Sequence, residues 1–406
     1  MGSDARQRSQ MPGVLLFGKE RMLLPKSADV VVIGGGVMGA STAYHLALLG
    51  CRDVVLLEKE PFYGQGATGR CAGGIRYQFS TEINIRLSQV SLPMLARFEE
   101  ELGQAIDLKW SGYLMLAATP ENEAEFRRNI ALQNSLGVPS RWLSAEEVTP
   151  MIPLINCHGI IGASWHAGDG LADPNSVVQG YVSGARRLGV SLFTDAPVTA
   201  IHTHGGRVVG VETPLGTIST ANVVNAAGPW AARVGEMAGL DIPVVPVRRQ
   251  IVVTAPIPQV PPDFPFVIDF AQSLYFHREG EGILTGKSNP DEPPGLNQAW
   301  DRDWEMVHLE AAVDRMPLLE EAGILTRWAG LYEVSPDAHP ILGRVPQLDG
   351  FHCINGFSGH GFMHGPVCGL LVAEEVLGGA ARTVDIRGLS IERFRKGGAP
   401  TEYNVI

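Results

Sequence analysis

The sequence predicts an α/β protein of two domains, one of them Rossmann-like. Three observations predict it: a strand–turn–helix–strand unit near the start, strands and helices alternating downstream, and a length of 406 residues, too great for one compact core.

The first unit carries the most information. Asp29–Ile33 (DVVVI) is a β-branched run of the buried-strand type. A glycine turn, Gly34–Gly39, follows it. Ala40–Leu49 then spaces small and apolar residues helically, and Gly50 closes the helix. Val54–Leu57 is the next strand, with Glu58 at its end. Together these make one βαβ unit of about thirty residues. Gly34, Gly36 and Gly39 give G-x-G-x-x-G, with Val37 and Met38 between. Gly34 permits the tight turn, Gly36 lets backbone approach a pyrophosphate, and Gly39 lets helix pack on strand. The helix tip offers unpaired N–H groups and a positive dipole end to phosphates. Glu58, with Lys59 beside it, stands where an acid receives ribose hydroxyls. The motif alone does not separate FAD from NAD(P). Its place near the start, without a second copy, points to FAD.

Downstream, helices are expected over Thr81–Leu102, Glu121–Leu136, Asn175–Leu188, Trp300–Arg315 and Gly365–Leu377. Strands are expected over Gly112–Ala117, Val190–Phe193, Val198–His202, Val208–Glu212 and Val223–Ala226. A Gly-Gly hairpin signal spans His204–Arg207, and Pro256–Pro265 is a proline-rich connection. Residues 1–27 lack a long apolar stretch and read as a partly ordered extension on the surface.

Composition excludes several classes. Charged residues are 18% and hydrophobic ones 45%, a globular mix. A net charge of −11, with no long basic run, leaves no electrostatic footprint for nucleic acid. No apolar stretch predicts a membrane span. Five cysteines without CxxC or metal-ligand spacing fit a reducing cytoplasm. No metal site is expected.

Four further segments carry a resemblance: Gly66–Arg76 (GATGRCAGGIR), Val224–Trp230 (VNAAGPW), Trp328–Tyr332 (WAGLY) with Pro336, Asp337 and Pro340, and Gly356–Phe362 (GFSGHGF). With the glycine turn, they resemble the D-amino-acid-oxidase-like flavoenzymes. The similar branch holds the sarcosine oxidases, monomeric or β-subunit, and the β-subunit of L-proline dehydrogenase. The resemblance implies a discontinuous FAD domain with a doubly wound sheet (28–104, 165–234 and 329–387). It implies a substrate domain with a mixed or antiparallel sheet roofing the flavin (105–164 and 235–328), and a tail over 388–406.

It also implies site residues. Besides the first turn, FAD contacts are expected at Gly66, Ala67, Thr68, Arg70, Gly73, Gly74 and Ile75. Further contacts are expected at Pro197, Val198, Ala226, Ala227, Gly228, Trp230, Gly330 and Tyr332. The last set is Gly356, Phe357, Ser358, Gly359, His360, Gly361, Phe362 and Met363. Arg76 stands where sarcosine-oxidising relatives hold the substrate carboxylate, and its guanidinium fork suits that role. The competing reading is a structural ion pair. Tyr275 falls near a relative's active-site tyrosine; the alternative is a strand aromatic. His360 is either a flavin contact or a satisfied loop residue. Trp328 and Tyr332 either line the pocket or pack.

Departures from the pattern also count. Met363 stands where monomeric sarcosine oxidases place a lysine, the second arm of their carboxylate clamp. Leu284 stands where they carry a lysine above the flavin, with Lys287 three residues on. Their flavin-linking cysteine falls near Gly330, and the flavin-linking histidine of heterotetrameric relatives falls near Pro174, so FAD is expected without a covalent bond. The expected activity is oxidation of a small secondary amino acid: sarcosine, another N-methyl amino acid or L-proline. Two alternatives stay open: a catalytic subunit passing electrons to a partner instead of oxygen, and a non-catalytic regulatory subunit. The partners left open are a second copy of the chain and an electron-accepting subunit.

Overall fold

The structure, a computed structural model, describes residues 23–397 and 400–405. Most of the expected N-terminal extension, residues 1–22, lies outside them.

The predicted βαβ unit is β1 (Val30–Ile33), α1 (Val37–Leu48) and β2 (Val54–Leu57), with the two strands parallel. They sit within a six-stranded sheet of order Ile341–Arg344, Phe351–Asn355, Val223–Asn225, β1, β2, Ser191–Phe193. Both faces are covered, which is why these strands read as unbroken apolar runs. Val30, Val32, Val54 and Leu56 pack under α1 and the helices Pro174–Arg187 and Gly361–Gly378. Val31, Ile33, Val55 and Leu57 face the other way. A doubly wound sheet carries helices on both faces. Here the second face is taken largely by an antiparallel meander, Ala200–His204, Arg207–Thr213 and Gly216–Ser219, beside the short helix Ala231–Glu236. Its hairpin turns at Gly205 and Gly206, both at positive φ, as the Gly-Gly signal predicts.

The second sheet has eight strands, in the order Ile324–Val334, Val245–Thr254, Gly282–Lys287, Leu274–Glu279, Phe266–Asp269, Tyr113–Ala117, Gly162–His166, Arg141–Ser144. All neighbours are antiparallel except the pair at Phe266 and Tyr113. One face buries Leu116, Val267, Phe276 and Ile283 in a core shared with Ala312 and Met316. The other presents Tyr113, Ile251, Phe266, Ile268 and Tyr275. Arg315 bonds to the fully buried Asp269 at 2.7 Å and anchors the helix Arg302–Arg315 to this sheet. The expected junctions at 164/165 and 328/329 fall inside two of its strands.

Two helix boundaries differ from expectation. The stretch Thr81–Leu102 is interrupted at Arg97, whose backbone (φ −100°, ψ 7°) leaves the helical region, giving Glu82–Ala96, with Pro93 inside it, and Phe98–Leu102. The final helix begins at Gly361 rather than Gly365, so its tip is part of the GFSGHGF stretch.

Candidate active site

One cavity of about 510 Å³ runs from the end of β2, past the tip of α1, to the underside of the eight-stranded sheet. Its first part is shaped by backbone. Gly34 has φ +109°, a conformation L side chains avoid, and a Cβ on Gly39 would collide with the Gly34 carbonyl. α1 has no side-chain cap of its own. The Thr68 hydroxyl, 31 residues away, accepts the Val37 N–H at 3.1 Å instead. Glu58 accepts from Gly35 N at 2.6 Å and from Glu60 N at 2.9 Å, which fixes its carboxylate at the cavity wall. Burial raises its pKa, partly offset by these N–H donors. Lys59 stacks its ammonium 3.9 Å over Trp230 at the same end. Arg70 is held by the carbonyls of Ala329 (2.8 Å) and Gln65 (3.2 Å), and Trp328 donates to the Arg70 carbonyl at 2.9 Å.

The far end is shaped by side chains. Arg76 is 6% exposed and lies 4.0 Å over the Phe79 ring. It donates to the backbone carbonyls of Gln78 and Asn404. No carboxylate among the described residues lies within ion-pair distance of it, so the structural ion pair is not what holds it. The nearby acids are engaged elsewhere. Asp169 accepts from Tyr77 N (2.7 Å), His166 (2.8 Å) and Gln78 (2.9 Å). Glu402 accepts from Ser80, Thr81 and Asn84. Burial lowers the Arg76 pKa from its ordinary value, opposed by Tyr113, Glu402 and Asp169. Tyr113 and Tyr275 are pushed well above the ordinary tyrosine range by burial, so both stay phenols. Glu333 is also on the wall; burial lifts its carboxyl to about 7 against donors at Gly356 and Phe357, and its Oε2 is buried without a partner.

Five candidates do not line the cavity. Trp328 packs beside it, its indole N–H spent on the Arg70 carbonyl. Gly39 stands behind the turn, and Ile75 is fully buried in the core. Gly356 packs toward Ser335 and Val244. His360 turns away: Nε2 meets the Ala338 carbonyl at 2.9 Å and Nδ1 meets His364 at 3.3 Å. The satisfied loop residue is the reading the geometry supports, because both ring nitrogens already have partners. The other candidates line the wall, Tyr275, Tyr332 and Met363 included. The sequence reading missed Tyr113, Arg249, Glu333 and the C-terminal Val405, all on the wall. Only alternation along Val245–Thr254 could have signalled Arg249; the others carry no local pattern.

The residues fit a long dinucleotide. A glycine turn and unpaired helix-tip N–H groups suit a diphosphate, an acid stands a strand's length away, and the cavity continues beyond to a cationic pocket. Fold and site define a dinucleotide-dependent oxidoreductase. The chain belongs to the FAD dependent oxidoreductase family (DAO), whose model matches residues 29–375. It is 35% identical over 372 residues to mitochondrial dimethylglycine dehydrogenase of Rattus norvegicus, covering 87% of this chain and 43% of that one. It is 32% identical to FAD-dependent oxidoreductase domain-containing protein 1 of Xenopus laevis, covering 95% of this chain and 86% of that one. Among solved structures it is similar to L-proline dehydrogenase from P. horikoshii, with a TM-score of 0.86, 34% identity, and 92% and 100% of the two chains covered. The chain spans less than half the length of the dimethylglycine dehydrogenase it matches.

Proposed function

We propose that this chain oxidises the C–N bond of a small secondary amino acid, sarcosine, another N-methyl amino acid or L-proline, to the imine. One observation carries the reading: Arg76, a buried guanidinium without an acidic partner among the described residues, stands at the end of the cavity beyond the dinucleotide turn. FAD, when bound, supplies the two-electron acceptor. Gly34–Gly36, Val37 and Thr68 would hold its diphosphate and Glu58 its ribose, without a covalent bond. Gly330 and Pro174 offer no nucleophile for one, and burial lifts the Cys71 thiol to about 11.

Arg76 binds the carboxylate and so fixes where the Cα–H bond lies. The apolar walls, Ile251, Phe266 and Ile268, exclude water. Burial beside a guanidinium favours the neutral amine, the form that can be oxidised. Anaerobic mixing with sarcosine, N-methyl amino acids and L-proline tests this. Bleaching of the flavin absorbance by one of them supports the reading; bleaching only by an unrelated amine refutes it.

A second reading concerns the electron acceptor. Leu284 is buried on the cavity face of the sheet, and Lys287 is not on the wall; its ammonium meets the Gln272 carbonyl at 2.5 Å. No lysine therefore reaches the cavity from this strand. The chain would pass electrons to a partner subunit, and full turnover with peroxide release by the isolated chain counts against that. A cytoplasmic location rests on five unpaired cysteines; cell fractionation checks it, the rat relative being mitochondrial. No helix among the described residues is long and apolar enough to cross a membrane.

A further inference from the structure

Two adjacent arginines on the strand Val245–Thr254 have opposite fates. Arg248 points away from the cavity and is saturated. It bonds to Glu292 at 2.9 Å and 3.1 Å, to Asp301 at 3.0 Å and to the Ala299 carbonyl at 2.6 Å. Arg249, one residue on, faces the cavity because alternate side chains of a strand point to opposite faces. Among the described residues its guanidinium makes one hydrogen bond, from Nη1 to the Arg248 carbonyl at 3.0 Å. Its Nε is buried without a partner. Among the described residues no carboxylate lies within ion-pair distance of it, and Glu292 and Asp301 are spent on its neighbour. The guanidinium lies 5.0 Å over the Tyr332 ring, and Tyr332 and Tyr275 both stay un-ionised beside it. Arg249 is half-buried, and its enclosed Nε is costly to leave unpaired unless an acceptor completes it.

We propose that Arg249 is a second carboxylate-binding group of the substrate cavity, reaching in from the eight-stranded sheet. The proposal rests on the amino-acid substrate reading. It explains how the site holds an amino acid although Met363 brings an uncharged thioether to the wall. Arg76 spends two of its nitrogens on backbone carbonyls, whereas Arg249 keeps Nε and Nη2 for an incoming anion. The pairing makes carboxylate the feature that selects the substrate, so an amine lacking it is disfavoured even where it fits.

The test uses the FAD-loaded chain with Arg249→Met and Arg249→Lys. Titration calorimetry follows binding of a non-oxidisable carboxylate, acetate or benzoate, and of the matching carboxamide. Arg249→Met should weaken carboxylate binding about 10- to 100-fold and leave carboxamide binding within about twofold, and Arg249→Lys should recover part of the loss. KM for the amino acid should rise by a similar factor while kcat changes less. Equal weakening of carboxylate and carboxamide, or unchanged carboxylate binding, overturns the proposal. Retained flavin absorbance in both variants shows that the cavity is intact. If sarcosine and L-proline fail to reduce the unsubstituted chain while carboxylates still bind through Arg249, the substrate reading fails and this one stands.

Discussion

The two ends of the cavity are built by different means. The diphosphate end is made by main chain: Gly34 and Gly39 shape it, and its donors are backbone N–H groups at the tip of α1. The substrate end is made by side chains from separate places: Arg76 from the loop after Gly74, Tyr113, Arg249 and Tyr275 from three strands, and Val405 from the last described residues. Backbone sites tolerate almost no added atoms. Side-chain sites tolerate exchange, and so can change specificity while the cofactor end stays fixed.

The largest expected effect breaks the first end alone. Gly39→Val puts carbon atoms where the Gly34 carbonyl lies, and FAD affinity should fall at least about a thousandfold, roughly 4 kcal/mol. The purified protein would be colourless, with its circular dichroism kept; a yellow variant would show that the turn is not where the flavin binds. Arg76→Met attacks only the second end. It should lower kcat/KM for the amino acid about a hundredfold or more while flavin stays bound. Loss of flavin in that variant would erase the distinction between the two ends.

A third prediction concerns the joint between them. His360 and His364 sit beneath the cavity in contact with Phe79; burial lowers His360 to about 4 and His364 well below its ordinary value, with Arg76 and His339 adding to both and His360 adding to His364. His45, His277, His308 and His352 are likewise lowered to about 4. Between the ordinary histidine value of 6.5 and about 4, the unfolded chain binds protons that the folded chain does not. Stability therefore falls as pH drops through that window, and denaturant melts at pH 5 should show uptake of several protons on unfolding. A flat profile from pH 7 to 5 would contradict the buried neutral histidines.

The smallest effect is at Glu333. Its pKa rises from 4.5 to about 7 on folding, so the folded state holds the extra proton and stability declines as pH rises through that range. Glu333→Gln should remove the decline and stabilise the flavin-free protein by about 1–3 kcal/mol at pH 8, read from chemical denaturation. No gain at pH 8 would mean that the carboxyl is ionised without strain.

The same contrast decides what was legible in the sequence. The cofactor end was read from residues 29–58 because its pieces are neighbours in the chain, so spacing carries geometry. Thr68 came from resemblance, and its contact with Val37 explains why it stands there. Much of the eight-stranded sheet went unread, including Val245–Thr254 and Ile324–Val334. Those strands pair across 70 or more positions, as at Thr254 and Ile324, and sequence periodicity does not report which strands meet. Arg249 was invisible for that reason: its meaning depends on which face of the sheet is covered. His360 stayed undecided because a loop histidine near a ring site gives no sign of which way it turns.

Arg76 donates to the carbonyl of Asn404, 328 positions later, and Glu402 is fastened to Ser80, Thr81 and Asn84. A nascent polypeptide therefore finishes this chamber only after residues 402–404 have left the ribosome, whereas the β1–α1–β2 unit has all its local contacts hundreds of residues earlier. Maturation would thus proceed from coenzyme cradle to the chamber beyond it, and a chain stalled before residues 402–404 emerge would be competent for the first and not the second.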